Sequence, residues 1–290
     1  MDIVVGATGF LGSAIVRALR SADRNVRALI RTSSDPEIVA SLEAAGAETA
    51  VGDVKDPASL VAAMVGVDTV LITTSSTRSR GEGDSIDSVD RQGNLNVVAA
   101  AKAAGVQHIV FVSFPHSEVS FPLQDAKRAV EAALESSGID YTILHPPHFW
   151  EVWCSAALGF DHGNAKVQVF GDGDGKHNWI SLGDVATAAV ACLDNPAARN
   201  KTFNLGGPEA LSQNQIIARF EAAKGRSFEI ERVPAEVLQG QVDGSGNPLE
   251  KSFAALMLIT AQGGWEFDSA EAKQALDVAP GPISEFIKLA

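Results

Sequence analysis

Short apolar runs and helix-periodic stretches alternate along the first half of the chain. Asp2–Val5, Val26–Ile30, Glu48–Val51, Asp68–Thr73, Gln107–Ser113 and Asp140–Leu144 read as strands, being brief, apolar and bounded by turn residues. Between them the apolar residues move to helical spacing, as in Leu11, Ile15, Val16 and Leu19. Asp35-Pro36 and Asp56-Pro57 each open a helix with a capping acid and a proline at its first position. A polar loop from Thr74 to about Asp84 leads into a helix from Ser85 to Ala104 that stops at Gly105, and another helix covers Asp125 to Ser136. Strands separated by helices in this way predict an α/β fold with a doubly wound parallel sheet, its ligand lying beyond the carboxyl ends of the strands.

After Pro146 the alternation loosens. A short helix over Trp150–Leu158, a strand at Lys166–Phe170 and a Gly/Asp turn at 171–175 are predicted, followed by a helix at Asp184–Leu193 and a strand at Thr202–Leu205. Ser212 caps a helix over Gln213–Ala223, and a strand at Phe228–Ile230 precedes further helices with an irregular tip at 243–247. The expected organisation is a nucleotide-binding unit over residues 1–146 and a smaller, mostly helical C-terminal substrate region over 147–290. Some segments of the latter return to the main sheet, so the boundary is soft.

The first strand runs straight into Gly6-Ala7-Thr8-Gly9-Phe10-Leu11-Gly12 and then into a helix. Such a turn presents unpaired helix N–H groups to an anion, and its glycines let a pyrophosphate and the strand approach closely. Because strand, glycines and helix occur in this order, the turn predicts dinucleotide binding through Gly6, Thr8, Gly9, Phe10, Leu11 and Gly12 in a Rossmann-type sheet. The second strand ends in Arg31, with Thr32 and Ser33 following, where an acid would select NAD. A guanidinium beside hydroxyls suits a 2′-phosphate and selects NADP(H), the alternative being a solvated loop arginine. Asp53 and Val54, past the third strand, lie either at the adenine edge or in a plain turn.

A formal net charge of −13 argues against nucleic acid as a partner. Two cysteines are too few for a disulfide framework, and neither a membrane-spanning run nor a signal sequence is visible, so a cytoplasmic protein is expected. No histidine or cysteine spacing suggests a metal.

GATGFLG, GDVKDPASL at 52–60, AAAKAAGVQHIVFVS at 99–113, SGIDYTILHPPHFWE at 137–151 and GDGKHNWISLGDVATA at 173–188 resemble the short-chain dehydrogenase superfamily. Within it they are similar to the atypical branch of NmrA-like proteins, isoflavone-reductase-like enzymes and bacterial NADPH-dependent quinone reductases. The resemblance implies NADP(H) binding and a cleft between the sheet and the C-terminal region. The superfamily's Tyr-x-x-x-Lys pair is missing: Tyr141 is the one tyrosine, and aligning Lys127 with the lysine puts Leu123 at the tyrosine's place. The resemblance makes Lys127 either a ribose-binding cation or an acid–base group. It places Ser113 near the substrate carbonyl, Pro146 and Pro147 along the nicotinamide, and Thr74, Ser75 and Ser76 near ribose and pyrophosphate. His116 and His148 are candidate proton donors, and Phe149, Trp150 and Trp153 candidate walls of an aromatic pocket. Arg78 and Arg80 either flank a phosphate or solvate their loop.

These features point to an NADPH-dependent reductase of a conjugated acceptor, a quinone or enone, which delocalises the arriving charge and tolerates the lost tyrosine. The alternative is a non-catalytic NADP(H) sensor acting on a protein partner. The partners expected are a small-molecule substrate and, at most, a second copy of the chain.

Overall fold

Alternate residues of the first strand leave it in opposite directions, and each direction ends in its own core. The structure, a computed structural model, describes residues 1–78 and 81–290. Its first half runs β1 (Asp2–Val5), α1 (Phe10–Ser21), β2 (Val26–Ile30), α2 (Pro36–Ala44), β3 (Glu48–Val51), α3 (Pro57–Ala63) and β4 (Thr69–Ile72). A π-helical turn (Ile86–Arg91) then leads into α4 (Gln92–Ala104), followed by β5 (His108–Val112), α5 (Pro122–Ser137) and β6 (Asp140–His145). The second half contains β7 (His148–Phe149), α6 (Trp150–Trp153), β8 (Phe160–Asp161), β9 (Lys166–Phe170), β10 (Lys176–Ile180) and α7 (Leu182–Ala191). It ends with β11 (Lys201–Asn204), β12 (Ala210–Ser212), α8 (Gln213–Lys224), β13 (Glu229–Val233), α9 (Ala235–Gly244), α10 (Pro248–Gln262), α11 (Ala270–Leu276) and α12 (Ile283–Leu289).

The main sheet has the order β11-β6-β5-β4-β1-β2-β3, every neighbour pair parallel. Val4, Ala28, Leu71, Val110 and Leu144 pack on one face against Ile15, Val16 and Leu19 of α1 and Val185 and Ala189 of α7. Ile3, Val5, Val70, Ile72, Ile109 and Phe111 pack on the other against Leu60, Val97, Ala101, Val130 and Leu134. Strands covered on both faces carry apolar residues at consecutive positions, which is why they appear in the sequence as continuous runs. The helix openings follow the same local chemistry: Asp35 accepts from the Glu37 N–H (2.8 Å) and Asp56 from the Ala58 N–H (3.1 Å), each followed by proline.

The doubly wound sheet is thus the one expected, and β11 returns to it beside β6. Other details differ. The helix expected from Asp125 begins at Pro122, and the helix expected over 150–158 divides into α6 and a 3₁₀ turn at Ala156–Leu158 before Gly159 at φ +80°. The start at Ser85 holds, with a capping box to Ser88, but its first turn is π-helical. Two small sheets, β12-β10-β7 and β13-β9-β8, support the C-terminal helices. The pairing of β13 with β9 extends that strand to Val233. Leu238, Val242, Ala255 and Leu258 of α9 and α10 close on Phe114, Phe121 and Leu123, which sets this helix pair over the carboxyl end of the sheet.

Candidate functional site

Two adjoining cavities open at the carboxyl ends of the strands, and the chain turn after β1 forms the floor of the first. Gly6 has φ +90°, and a Cβ there would stand 2.7 Å from Thr73 Oγ1. Gly9 starts α1 with no side-chain cap and no acid in the first turn, and the Ser13 N–H to Gly9 carbonyl bond (2.9 Å) opens the helical ladder. The N–H groups of Phe10, Leu11 and Gly12 precede that bond and carry the positive end of the helix dipole. Arg78 lies over the Phe10 ring beside them; Arg80 falls outside the described residues. An uncapped helix start under a glycine turn fits the diphosphate of a dinucleotide.

This first cavity, about 130 Å³, is lined by Gly6, Thr8, Gly9, Arg31, Asp53, Val54, Thr73, Thr74, Ser75 and Asp84 among others. Leu11 packs against the core behind the turn, and Gly12 is buried. Thr32 and Ser33 are exposed and away from the cavity; Ser34 folds back instead, its hydroxyl accepting the Arg31 N–H at 2.9 Å. The Arg31 guanidinium, half-buried, donates to Asp84 Oδ2 at 2.6 Å, and Lys55 Nζ donates to Asp84 Oδ1 at 2.5 Å. Burial pushes the Asp84 carboxyl up, but the Lys55 ammonium, the Gly81 N–H and the Arg31 guanidinium outweigh it and hold the group at about 2. Neither Lys55 nor Asp84 was singled out from the sequence, because the contact spans 53 residues between Arg31 and Asp84.

The loop after β4 is fixed from below by the π-helical turn and α4. Asp90, fully buried, accepts from the Ser76 N–H (3.0 Å) and hydroxyl (2.6 Å), and the Asn94 amide donates to the Thr74 carbonyl (3.3 Å). Thr74 Oγ1, Asp90 Oδ1 and Asn94 Oδ1 are buried without a partner among the described residues. Of these residues Thr74 lines the first cavity, where its hydroxyl suits a ribose or amide group, while Asp90 and Asn94 lie behind the wall. Asp90 and Asn94 stand four residues apart on one helix face, a spacing the sequence displays.

The second cavity, about 440 Å³, lies between this loop, the start of α5 and the α9–α10 tip. Ser76, Asp84, Ile86, Asp87, Arg91, Asp125 and Leu249 are among its lining residues. Lys127 is buried one residue past that wall, its Nζ donating to the Val112 carbonyl (3.0 Å) and 4.8 Å from the Phe111 ring centroid. Burial lowers its ammonium from the ordinary lysine value, against the pull of Asp90 and Glu131.

The remaining candidates are not brought to either cavity wall. Ser113 is buried with its hydroxyl accepting from Arg128 (3.3 Å), beside the Arg128–Glu131–His145 group. The His116 side chain is exposed, 3.9 Å from Glu118, while its carbonyl accepts the Trp265 indole N–H. His148 is fully buried; its Nε2 bonds Thr260 Oγ1 at 2.8 Å, and its ring stacks on Trp153 (4.3 Å) and His177 (4.6 Å). Burial drives its pKa well below the ordinary histidine value, with His177 adding to the effect. Pro146 and Pro147 are buried at the end of β6. Trp150 stacks on Trp179 (5.5 Å), Trp153 packs in the C-terminal core and Phe149 against the α1 face of the sheet. Trp150 is therefore core, Phe149 and Trp153 are half-buried against it, and none of the three is among the residues lining either cavity. Among the described residues no group of three or more His, Cys, Asp or Glu could hold a metal, and no helix is long and apolar enough to cross a membrane.

A family model described as the NmrA-like family matches residues 3–287. The chain is 32% identical over 251 residues to the NAD(P)H azoreductase of Xenophilus azovorans, covering 86% of this chain and 82% of that protein. It is 30% identical over 297 residues to the isoflavone reductase homolog IRL of Zea mays, covering 96% and 93%. Among solved structures, the NADPH-dependent quinone oxidoreductase of Escherichia coli complexed with NADPH superposes with a TM-score of 0.80 at 26% identity, over 100% of this chain and 99% of that one.

Proposed function

The chain belongs to the NmrA-like family, and we propose that it is an NADP(H)-dependent oxidoreductase passing hydride to a conjugated or aromatic acceptor such as a quinone or an enone. The observation that carries this reading is the uncapped start of α1, held under the Gly6–Gly12 turn and beside Arg31 on one cavity. The likeness to an NADPH-complexed quinone oxidoreductase, an isoflavone reductase homolog and an azoreductase supports both cofactor and acceptor class.

The reduced dinucleotide, when bound, supplies the hydride. The N–H groups of Phe10, Leu11 and Gly12 hold its diphosphate, and Arg31 meets its 2′-phosphate. Thr74, on the first cavity wall, offers an unpartnered hydroxyl to its reactive half, and Asp90 and Asn94 hold the Thr74–Ser76 loop in place. The second cavity takes the acceptor. Lys127 stands beneath it as the proton-holding group at Nζ, its affinity for the proton lowered by burial. A quinone or enone spreads the arriving charge over its conjugated oxygen, so a positioned tyrosine is not required.

NADPH consumption against a panel of quinones and enones tests the reading. Turnover by the wild type, with Lys127→Met lowering kcat and leaving NADPH affinity within about threefold, is expected. NADPH binding with no consumption across the panel would overturn it and favour the sensor.

A further inference from the structure

The place beside Arg31 already holds an anion. Two cations, Arg31 and Lys55, and one backbone N–H, that of Gly81 (2.7 Å), converge on the Asp84 carboxylate. The Asp84 side chain is 2% exposed, whereas Arg31 and Lys55 remain 31% and 29% exposed. Asp84 stands on the wall of the first cavity together with Arg31 rather than behind it. An anion approaching Arg31 through that cavity therefore meets a carboxylate of like charge that already uses the guanidinium. The low proton affinity of Asp84 keeps that charge in place throughout the ordinary pH range.

We propose that Asp84 is a resident carboxylate occupying the 2′-phosphate position between Arg31 and Lys55 in the free protein, and that NADPH binds by exchanging its phosphate for it. The inference rests on the NADP(H) reading above and extends it: discrimination between the two dinucleotides is set by an exchange of anions in which Lys55 takes part, not by Arg31 alone. A phosphate dianion offers more charge and more acceptor oxygens to two cations than one carboxylate does, so the exchange favours the phosphate, while NADH brings nothing to trade.

The backbone permits the movement. Asp84 follows Gly81-Glu82-Gly83, and Gly83 sits at φ +73° with no described residue within 4 Å of where a Cβ would be. On the other side, Ser85 and Ser88 are locked in a capping box, which confines the rearrangement to the residues before them. Lys55 also donates to the Glu82 carbonyl (3.1 Å) and lies 4.0 Å from Asp53 Oδ2, and Asp53, outside the Gly81–Asp84 segment, remains beside it when Asp84 leaves.

Calorimetric titration of the full chain with NADPH, NADH and adenosine 2′,5′-bisphosphate tests this on the wild type, Asp84→Asn and Lys55→Gln. Asparagine can still accept the Gly81 N–H, and thermal melting checks that each variant is folded. Asp84→Asn is expected to tighten NADPH and the bisphosphate about tenfold and to leave NADH within about twofold. Lys55→Gln is expected to weaken the same two ligands about tenfold and to spare NADH. Weaker NADPH binding by Asp84→Asn would overturn the exchange, showing that Asp84 holds the cations in position for the phosphate. Loss of NADH affinity alone would also overturn it, making Asp84 an acceptor for the ribose hydroxyls. Unchanged selectivity in both variants would overturn the exchange and leave the cofactor reading standing. Failure of all three proteins to bind any of these ligands would overturn both.

Discussion

Replacing Gly12 with alanine probes the contact between strand end and helix start more sharply than any charge reversal. The new Cβ would press on the Gly6 carbonyl, with the carbonyl carbon 2.7 Å and Ala7 Cα 2.9 Å away. Carbon atoms in contact stand about 3.5 Å apart, and the carbonyl oxygen is nearer still, so the two segments must separate by at least roughly 0.8 Å. The opposing atoms are backbone, and no side-chain rotation relieves the clash. Overpacking of this kind costs about 1–3 kcal/mol, a fall in Tm of roughly 2–12 °C for a chain of this size. The same separation carries the Phe10 and Leu11 N–H groups out of hydrogen-bond range, which spans only about 0.5 Å. Losing two bonds to a charged diphosphate, at about 1.5–3 kcal/mol each, weakens NADPH by a hundredfold or more. Titration calorimetry below the melting range measures the affinity, and melting measures the stability. Gly240→Ala, on a helix with nothing within 4 Å of the added carbon, is the control and should leave binding unchanged. A Gly12→Ala protein binding NADPH within about threefold of wild type would show that the diphosphate does not rest on these N–H groups.

Three further outcomes follow from named contacts. Arg31→Ala should weaken NADPH about ten- to a hundredfold and NADH little, because the loss falls on the 2′-phosphate; equal losses in the two titrations would count against this. Burial holds His108 and His177 at about 4, so both fold as neutral rings. Their contribution is complete above the unfolded value near 6.5 and is lost as pH falls toward 4, a loss of up to about 1.4 kcal/mol per pH unit for each ring. Asp84, held at about 2, keeps its contribution through that window. Urea midpoints should therefore drop from pH 7 to pH 5, and a flat profile would contradict the burial argument. Trp150→Ala should cost about 3–5 kcal/mol and leave the KM for a quinone unchanged; a raised KM with an unmoved Tm would instead make Trp150 a pocket wall.

Where one residue's neighbours in sequence are also its partners in space, the fold was legible. The capping acids Asp35 and Asp56, the terminating Gly105 and the Ser212 capping box all act within a few residues, and the long strands show their burial as continuous apolar runs. β7, β8 and β12 have two or three residues, too few to show a period of two, so the inward turn of Phe149, Trp150 and His148 had no local signature. The glycine turn and Arg31 were visible for the same reason as the caps. Asp84, the partner of Arg31, and Lys55, which shares that carboxylate, were not, since the sheet rather than the chain brings them together. Asp90 and Asn94 were accessible in principle, as polar residues spaced by one helical turn on an otherwise apolar face.

Single-turnover reduction separates hydride transfer from mere cofactor binding. The protein is loaded with one equivalent of NADPH, mixed anaerobically with excess quinone, and followed by the near-ultraviolet absorbance of the reduced nicotinamide. Loss of that absorbance is expected, with one quinol formed for each NADPH consumed, at a rate far above that of free NADPH. Persistence of the absorbance in a protein that demonstrably holds NADPH would contradict hydride transfer.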